Sequence, residues 1–260
     1  MIYLINDRFT KEKNAKIKIT SSLLRGYGIF ETLRTYGKRQ LPLKEEHIAR
    51  LLKSAKQINL EIKYSKEALA KMLEKISHKS PHQKQIIKII ALEKTLIITS
   101  SRLKSKSSQN KEASCMSKVC TRALPEVKSI SYLPSLLSHE EAVKKGYQEA
   151  ILTDKNAEVY EGAYSNIFWF EGDNLCTRED LVLPGIIRGI ILKISPYKLK
   201  FKTIHLSKLK KMEEVFLTSS IQGITPITKI DQSKIGNGRP GKKTATLNLA
   251  LSEYINSNKK

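Results

Sequence analysis

This chain of 260 residues is short of cysteine, of aromatic residues and of acidic side chains, and each shortage narrows what it can be. Its three cysteines (Cys115, Cys120, Cys176) form no Cys-x-x-Cys pair and no zinc-type spacing, so neither a disulfide framework nor a metal site is expected. No apolar run approaches the roughly 18 to 20 residues of a membrane span. The stretch Met1 to Asp7 gains charge too early for a secretory leader. A cytoplasmic location without a membrane partner is the expectation. Aromatic residues make up only 7% of the chain, and none interleave with basic residues to form a base-stacking platform.

What the chain has in excess is positive charge. Lysine and arginine number 47 against 25 aspartate and glutamate, a formal net charge of +22. Such an excess raises a nucleic-acid-binding reading, because phosphate neutralisation supplies most non-specific affinity. The basic residues, however, are spread along the whole chain rather than gathered into a stripe, which leaves that reading a remote alternative. A positive field of this kind favours small anionic ligands. Hydrophobic residues at 40% suffice for a sizeable core in one large or two modest domains.

Periodicity divides the chain. Strands are expected at Met1–Ile5, Lys16–Thr20 and Ile29–Tyr36, followed by a helix from Lys44 whose Ile48, Leu51, Leu52, Ala55 and Ile58 share one face. A helix over Lys66–Ile76 and a hairpin of Ile86–Ile90 with Thr95–Thr99 complete a small α/β domain, residues 1–103. Lys104–Lys118 is rich in Ser and Lys and aperiodic, so residues 104–124 read as a linker. Residues 125–260 form a larger domain with a helix at Leu133–Lys145, strands at Glu149–Thr153, Glu158–Tyr160, Asn166–Glu171 and Val215–Ser219, and helices after Pro184-Gly185 and over Thr244–Ile255.

Two segments carry candidate chemistry. Lys128 precedes Ser129-Ile130-Ser131-Tyr132-Leu133-Pro134, and Glu161 ends a strand just before Gly162-Ala163-Tyr164-Ser165-Asn166. A lysine able to form a Schiff base and an acid able to keep a pyridinium nitrogen protonated are what pyridoxal phosphate chemistry needs most. Taken singly, Lys128 reads equally as a surface charge and Glu161 as a strand-end carboxylate. Other segments fall into the same order: Arg25-Gly26-Tyr27-Gly28-Ile29-Phe30-Glu31-Thr32-Leu33-Arg34, His47-Ile48-Ala49-Arg50-Leu51, Gly146-Tyr147-Gln148-Glu149-Ala150, Leu183-Pro184-Gly185-Ile186-Ile187-Arg188 and Val215–Ile227. Together they resemble the class IV aminotransferases, the fold-type IV pyridoxal phosphate enzymes, over nearly the full length.

The resemblance implies a two-domain α+β fold with a barrel-like C-terminal domain, pyridoxal phosphate as cofactor, and a homodimer. It implies Lys128 as the lysine that carries the cofactor and moves protons, and Glu161 as partner of the ring nitrogen. Arg50, the backbone amides of Ile186 and Ile187, and Ser220 would hold the phosphate, with Tyr132 near the cofactor's phenolic oxygen. The family commonly has Thr where this chain has Ile187. Phe30, Arg34 and Ile221 would face a small anionic substrate. Thr32, as an assisting catalytic residue, and Gly223 point to the lyase subgroup, which converts aminodeoxychorismate to 4-aminobenzoate and pyruvate. Branched-chain or D-amino-acid transamination is the alternative. The chain departs from the family between Ile90 and Thr95, where only Ala91-Leu92-Glu93-Lys94 stands in place of an Arg-Gly loop; Lys94, Arg102 or Arg34 would then meet the substrate carboxylate.

Overall fold

Strict alternation along Gly28–Arg34 sets the two faces of the first sheet. Ile29, Glu31 and Leu33 are buried, while Phe30, Thr32 and Arg34 on the opposite side are half-buried. In the computed structural model, which describes residues 1–104 and 112–258, two compact units are present. The first holds β1 (Ile2–Ile5), β2 (Arg8–Thr10), α1 (Ser21–Leu24), β3 (Gly28–Arg34), α2 (Lys44–Gln57), α3 (Lys66–Lys79), β4 (Gln85–Leu92) and β5 (Thr95–Arg102). The strands form an antiparallel sheet in the order β2-β1-β5-β4-β3.

The helices cover the inner face because their apolar residues recur at helical spacing. Ile48, Leu51 and Ala55 of α2 and Leu69, Leu73 and Ile76 of α3 join Ile29, Leu33, Ile87, Ile89 and Ile98 in one core. Ser65 caps α3, its hydroxyl accepting from Ala68 N at 3.2 Å. Glu93 and Lys94 make the whole β4–β5 turn, with Lys94 at a φ of 58°. The expected strand at Lys16–Thr20 does not form. Its alternation buries neither face, Ile19 being 77% exposed, and Thr20 instead caps α1 through Leu23 N at 3.3 Å.

Strand β3 lies at the end of the sheet order, and its outer edge is not left bare. Phe30 N donates to Lys128 O at 2.8 Å and Ile130 N donates to Gly28 O at 2.9 Å. Ile29 and Ser129 form an antiparallel bridge. The segment carrying Lys128 is thus fixed by main-chain hydrogen bonds, which blunts an exposed edge.

The second unit holds β6 (Ala113–Val119), α4 (Leu133–Lys144), β7 (Glu149–Thr153), β8 (Val159–Gly162), β9 (Asn166–Glu171), β10 (Asn174–Thr177), α5 (Ile186–Ile194), β11 (Lys198–Phe201), α6 (Leu206–Leu209), β12 (Val215–Ser219), β13 (Gly223–Ile230), β14 (Ser233–Lys234) and most of α7 (Lys242–Ser257). Its mixed sheet runs β11-β10-β9-β12-β13-β6-β7-β8, with β14 on β13. One face buries Ile167, Trp169, Val215 and Leu217. On the other, Phe168 stacks on Phe216 with centroids 5.1 Å apart. Among the described residues no helix is long and apolar enough to cross a membrane.

Strand β6 lies inside the stretch read from the sequence as a linker; residues 105–111 of that stretch lie outside the described residues. Its composition hides it. Stability comes from distant partners, through parallel pairing with β13 and β7 and through Asp231, whose carboxylate accepts from Ser117 N at 2.7 Å and Ser117 Oγ at 2.8 Å.

A Cβ at Gly28 would lie 2.7 Å from Leu92 Cδ2, 2.8 Å from Ala91 O and 3.0 Å from Ile130 Cδ1. Gly28→Ala should therefore push the Lys128 segment off β3 and cost about 1 to 3 kcal/mol. Chemical denaturation measures this, and an unchanged midpoint would mean the segment yields without loss.

Candidate active site

Glu31 points inward from β3 into a buried cluster of charge. It is 0% exposed, and α2 brings Arg50 and His47 to it from one turn apart. Arg50 donates from Nε to Oε1 at 2.7 Å and from Nη2 to Oε2 at 2.8 Å. His47 Nδ1 lies 2.7 Å from Oε2. Burial alone would raise the Glu31 carboxyl, but the charge and hydrogen bonds of Arg50, then those of His47, hold it at about 2. Burial lowers His47, and the Arg50 and Lys128 charges add to that against the pull of Glu31. His47 is thus the neutral donor in a pair whose charges are Glu31 and Arg50.

On the outer face of the same strand Lys128 Nζ lies 4.5 Å from the centroid of Phe30. Phe30, Thr32 and Arg34 stand opposite Ile90, Lys88 and Ile86 of β4. The surface next to Lys128 is therefore apolar, and becomes cationic further along. The Arg34 guanidinium carbon lies 4.8 Å from the ring centroid of Tyr36.

The second unit is organised around Glu161 at the end of β8. It is 4% exposed and accepts from Arg122 Nη1 at 2.7 Å, Asn166 Nδ2 at 3.1 Å and Leu183 N at 3.0 Å. The Arg122 guanidinium also lies 5.5 Å from the ring of Tyr132. Tyr132 donates its hydroxyl to Ala163 O at 2.5 Å and stacks on Tyr164 with centroids 5.6 Å apart. Burial raises the Tyr132 phenol, with Arg122 opposing, so it stays neutral. Arg122, Glu161, Cys120, Tyr160 and Leu181 line a cavity.

Gly185 is the N-cap of α5 and makes no side-chain cap, so the first-turn amides at Ile186 and Ile187 form an anion-compatible end. The Ile187 side chain is 1% exposed and turned into the core. Ser220 and Ile221 lie half-buried in the turn between β12 and β13. Gly223 has a φ of 72°, a conformation other residues resist, so a backbone demand accounts for this glycine.

Lys128, Phe30, Thr32, Arg34 and Arg50 belong to the first unit; Tyr132, Glu161, Ile186, Ile187, Ser220 and Ile221 belong to the second. Arg122 is the functional candidate that sequence reasoning passed over. It sits among 47 basic residues, and its partner lies 39 residues away, so no local spacing marks it.

Residues 28–230 match the model of the family Amino-transferase class IV, and the chain belongs to that family. It is 29% identical over 267 residues to a probable branched-chain-amino-acid aminotransferase of Aquifex aeolicus, covering 90% of this chain and 86% of that protein. It is 29% identical over 283 residues to a D-alanine aminotransferase of Listeria innocua, covering 98% and 96%. The branched-chain aminotransferase of Thermoproteus uzoniensis, solved with norvaline, has the same fold, with a TM-score of 0.90 at 26% identity over 100% of this chain and 96% of that one. The fold is that of the fold-type IV enzymes, α+β, with a small antiparallel sheet and a curled half-barrel sheet.

The Glu31 cluster makes a pH prediction. Because the folded carboxyl is held at about 2, below its unfolded value, its contribution is complete above about pH 4.5 and lost as pH falls towards 2. Glu31→Gln should lose about 3 to 5 kcal/mol at neutral pH by stranding Arg50, and its stability should fall less steeply than wild type between pH 4.5 and 2. Equal acid slopes would show that Glu31 is not the titrating group.

Proposed function

We propose that this protein is a pyridoxal phosphate-dependent aminotransferase that moves an amino group between an amino acid with a small or branched apolar side chain and a 2-oxo acid. The observation that carries the reading is Glu161: in a class IV family member, a buried carboxylate that accepts hydrogen bonds from Arg122, Asn166 and Leu183 N is the kind of partner a protonated ring nitrogen requires. The donor sets suit the cofactor's other groups as well. The uncapped amino end of α5 suits a phosphate dianion, and in the first unit Arg50 supplies a guanidinium and Lys128 a primary amine.

When bound, pyridoxal phosphate supplies an aldehyde that takes up the amino group and a ring that withdraws electrons. Lys128 would hold the cofactor covalently and, as a neutral amine, carry the proton from the substrate's Cα. Glu161 would keep the proton on the ring nitrogen, with Arg122 and Asn166 fixing the carboxylate. Arg50, the Ile186 and Ile187 amides and Ser220 would bind the phosphate. The Phe30 and Ile90 side of the first sheet favours an apolar substrate side chain, and Arg34 lies further along for an anionic group. The exposed leucines of α4, Leu133 at 60% and Leu137 at 54%, support a homodimer.

Elimination from aminodeoxychorismate was expected from Thr32 and Gly223. The positive φ of Gly223 removes one of these cues, and the relatives described above are aminotransferases. Amino transfer is therefore favoured over the lyase reaction.

Purified protein loaded with pyridoxal phosphate should form glutamate from 2-oxoglutarate with leucine, valine or D-alanine as donor. Lys128→Ala should lower that rate by about 10²- to 10⁴-fold or more. Release of 4-aminobenzoate and pyruvate from aminodeoxychorismate, without amino transfer from any donor, would overturn the assignment in favour of the lyase.

A further inference from the structure

Thr218 has no role in the reaction outlined above, yet its surroundings call for one. It is 2% exposed, and its hydroxyl has no hydrogen-bond partner among the described residues. A buried hydroxyl left unsatisfied is costly, and native structures rarely keep one without a reason.

The strand pairing shows where that hydroxyl points. Thr218 stands opposite Asn166 across β12 and β9, and two residues back Phe216 stands opposite Phe168. Successive pairs of this parity share a face, and the stacked Phe168 and Phe216 rings mark it. Leu217 and Ile167 point the other way, into the core with Trp169. Asn166, on the Thr218 face, reaches the segment entering α5. Its Nδ2 donates to Leu183 O at 2.8 Å, and its Oδ1 lies 2.0 Å from where a Cβ on Gly185 would be. The uncapped amino end of α5, a helix of nine residues, is therefore adjacent to Asn166 on the face that carries Thr218. At its second residue the helix offers this corner only a main-chain donor, because the Ile187 side chain is buried in the core.

We infer that Thr218 donates its hydroxyl to a phosphate monoester bound at the amino end of α5, as a phosphate-binding residue of this chain beyond Arg50 and Ser220. The inference rests on the pyridoxal phosphate reading and deepens it. An anion at the helix end satisfies in one step the amides and the orphan hydroxyl.

The test compares binding of pyridoxal phosphate with that of pyridoxal, which lacks the phosphate, to cofactor-free wild type, Thr218→Val, Thr218→Ala and Thr218→Ser. Dissociation constants come from absorbance or fluorescence titration, with the thermal midpoint of each cofactor-free protein as a second readout. Thr218→Val and Thr218→Ala should weaken pyridoxal phosphate about tenfold and leave pyridoxal unchanged, while Thr218→Ser retains tight binding. The cofactor-free midpoint of Thr218→Val should not fall, since that change removes an unsatisfied group. The inference is overturned if all variants bind pyridoxal phosphate like wild type, or if both ligands weaken equally. In those cases the function stands, because wild type binds the cofactor. If wild type binds no pyridoxal phosphate, the functional reading falls and Thr218 falls with it.

Discussion

The buried pair of Glu31 and Arg50 is the constraint around which the first unit is arranged. Two opposite charges removed from water are favourable only with good geometry and full hydrogen bonding, and the two-pronged contact supplies both. Because Glu31 must face inward, Phe30, Thr32 and Arg34 must face outward, for a strand permits no other alternation. The same strand uses its outer edge to hold the main chain at Lys128 and Ile130. One strand therefore fixes the inward position of Arg50, the outward apolar face and the lysine. A slip of one residue would bury Phe30 and expose Glu31, losing all three.

The second unit applies the same physics to a different end. Glu161 is as buried as a structural carboxylate, and it too is met by an arginine. It differs from Glu31 in its company. Arg122 donates to Glu161 from Nη1 while facing the Tyr132 ring, and Asn166 and a backbone amide add their own hydrogen bonds. The donors to this carboxylate come from separate segments, one of them main chain, so its hydrogen bonding does not depend on a single cation. That arrangement suits a group that must also answer to a ligand, whereas Glu31 suits a fixed anchor.

Legibility in the sequence followed the range of the interactions. Helix α2 was readable from Ile48, Leu51 and Ala55 because helical period is local, and β3 from its alternation. Lys16–Thr20 alternates just as well and forms no strand, since alternation without a partner strand or a core buries nothing. Strand β6 was hidden for the opposite reason: its Ser- and Lys-rich composition carries no strand signal, and its pairing comes from β7 and β13. Lys128 and Glu161 stand out in the sequence through ordered motifs, and remain candidates on that ground. Arg122 and Thr218 do not, because what distinguishes them is a carboxylate 39 residues away and the lack of a partner among the described residues.

The choice between amino transfer and elimination turns on different atoms from those that fit the cofactor. Lys128, Glu161 and the amino end of α5 would serve either reaction, since each needs the Cα proton moved and the ring kept electron-poor. In the proposed reading discrimination would fall to the outer face of β3, where Thr32 lies between Phe30 and Arg34 and opposite Lys88. Near Lys128 that face is aromatic and aliphatic, which desolvates a short apolar side chain at little cost. A charged substrate side chain would leave its charge against Phe30 and Ile90. An apolar amino-acid side chain leaves no charge there. The α-carboxylate that every amino-acid substrate carries on its reacting carbon must be met by a cation or main-chain donors elsewhere, so this face bears on the side chain alone.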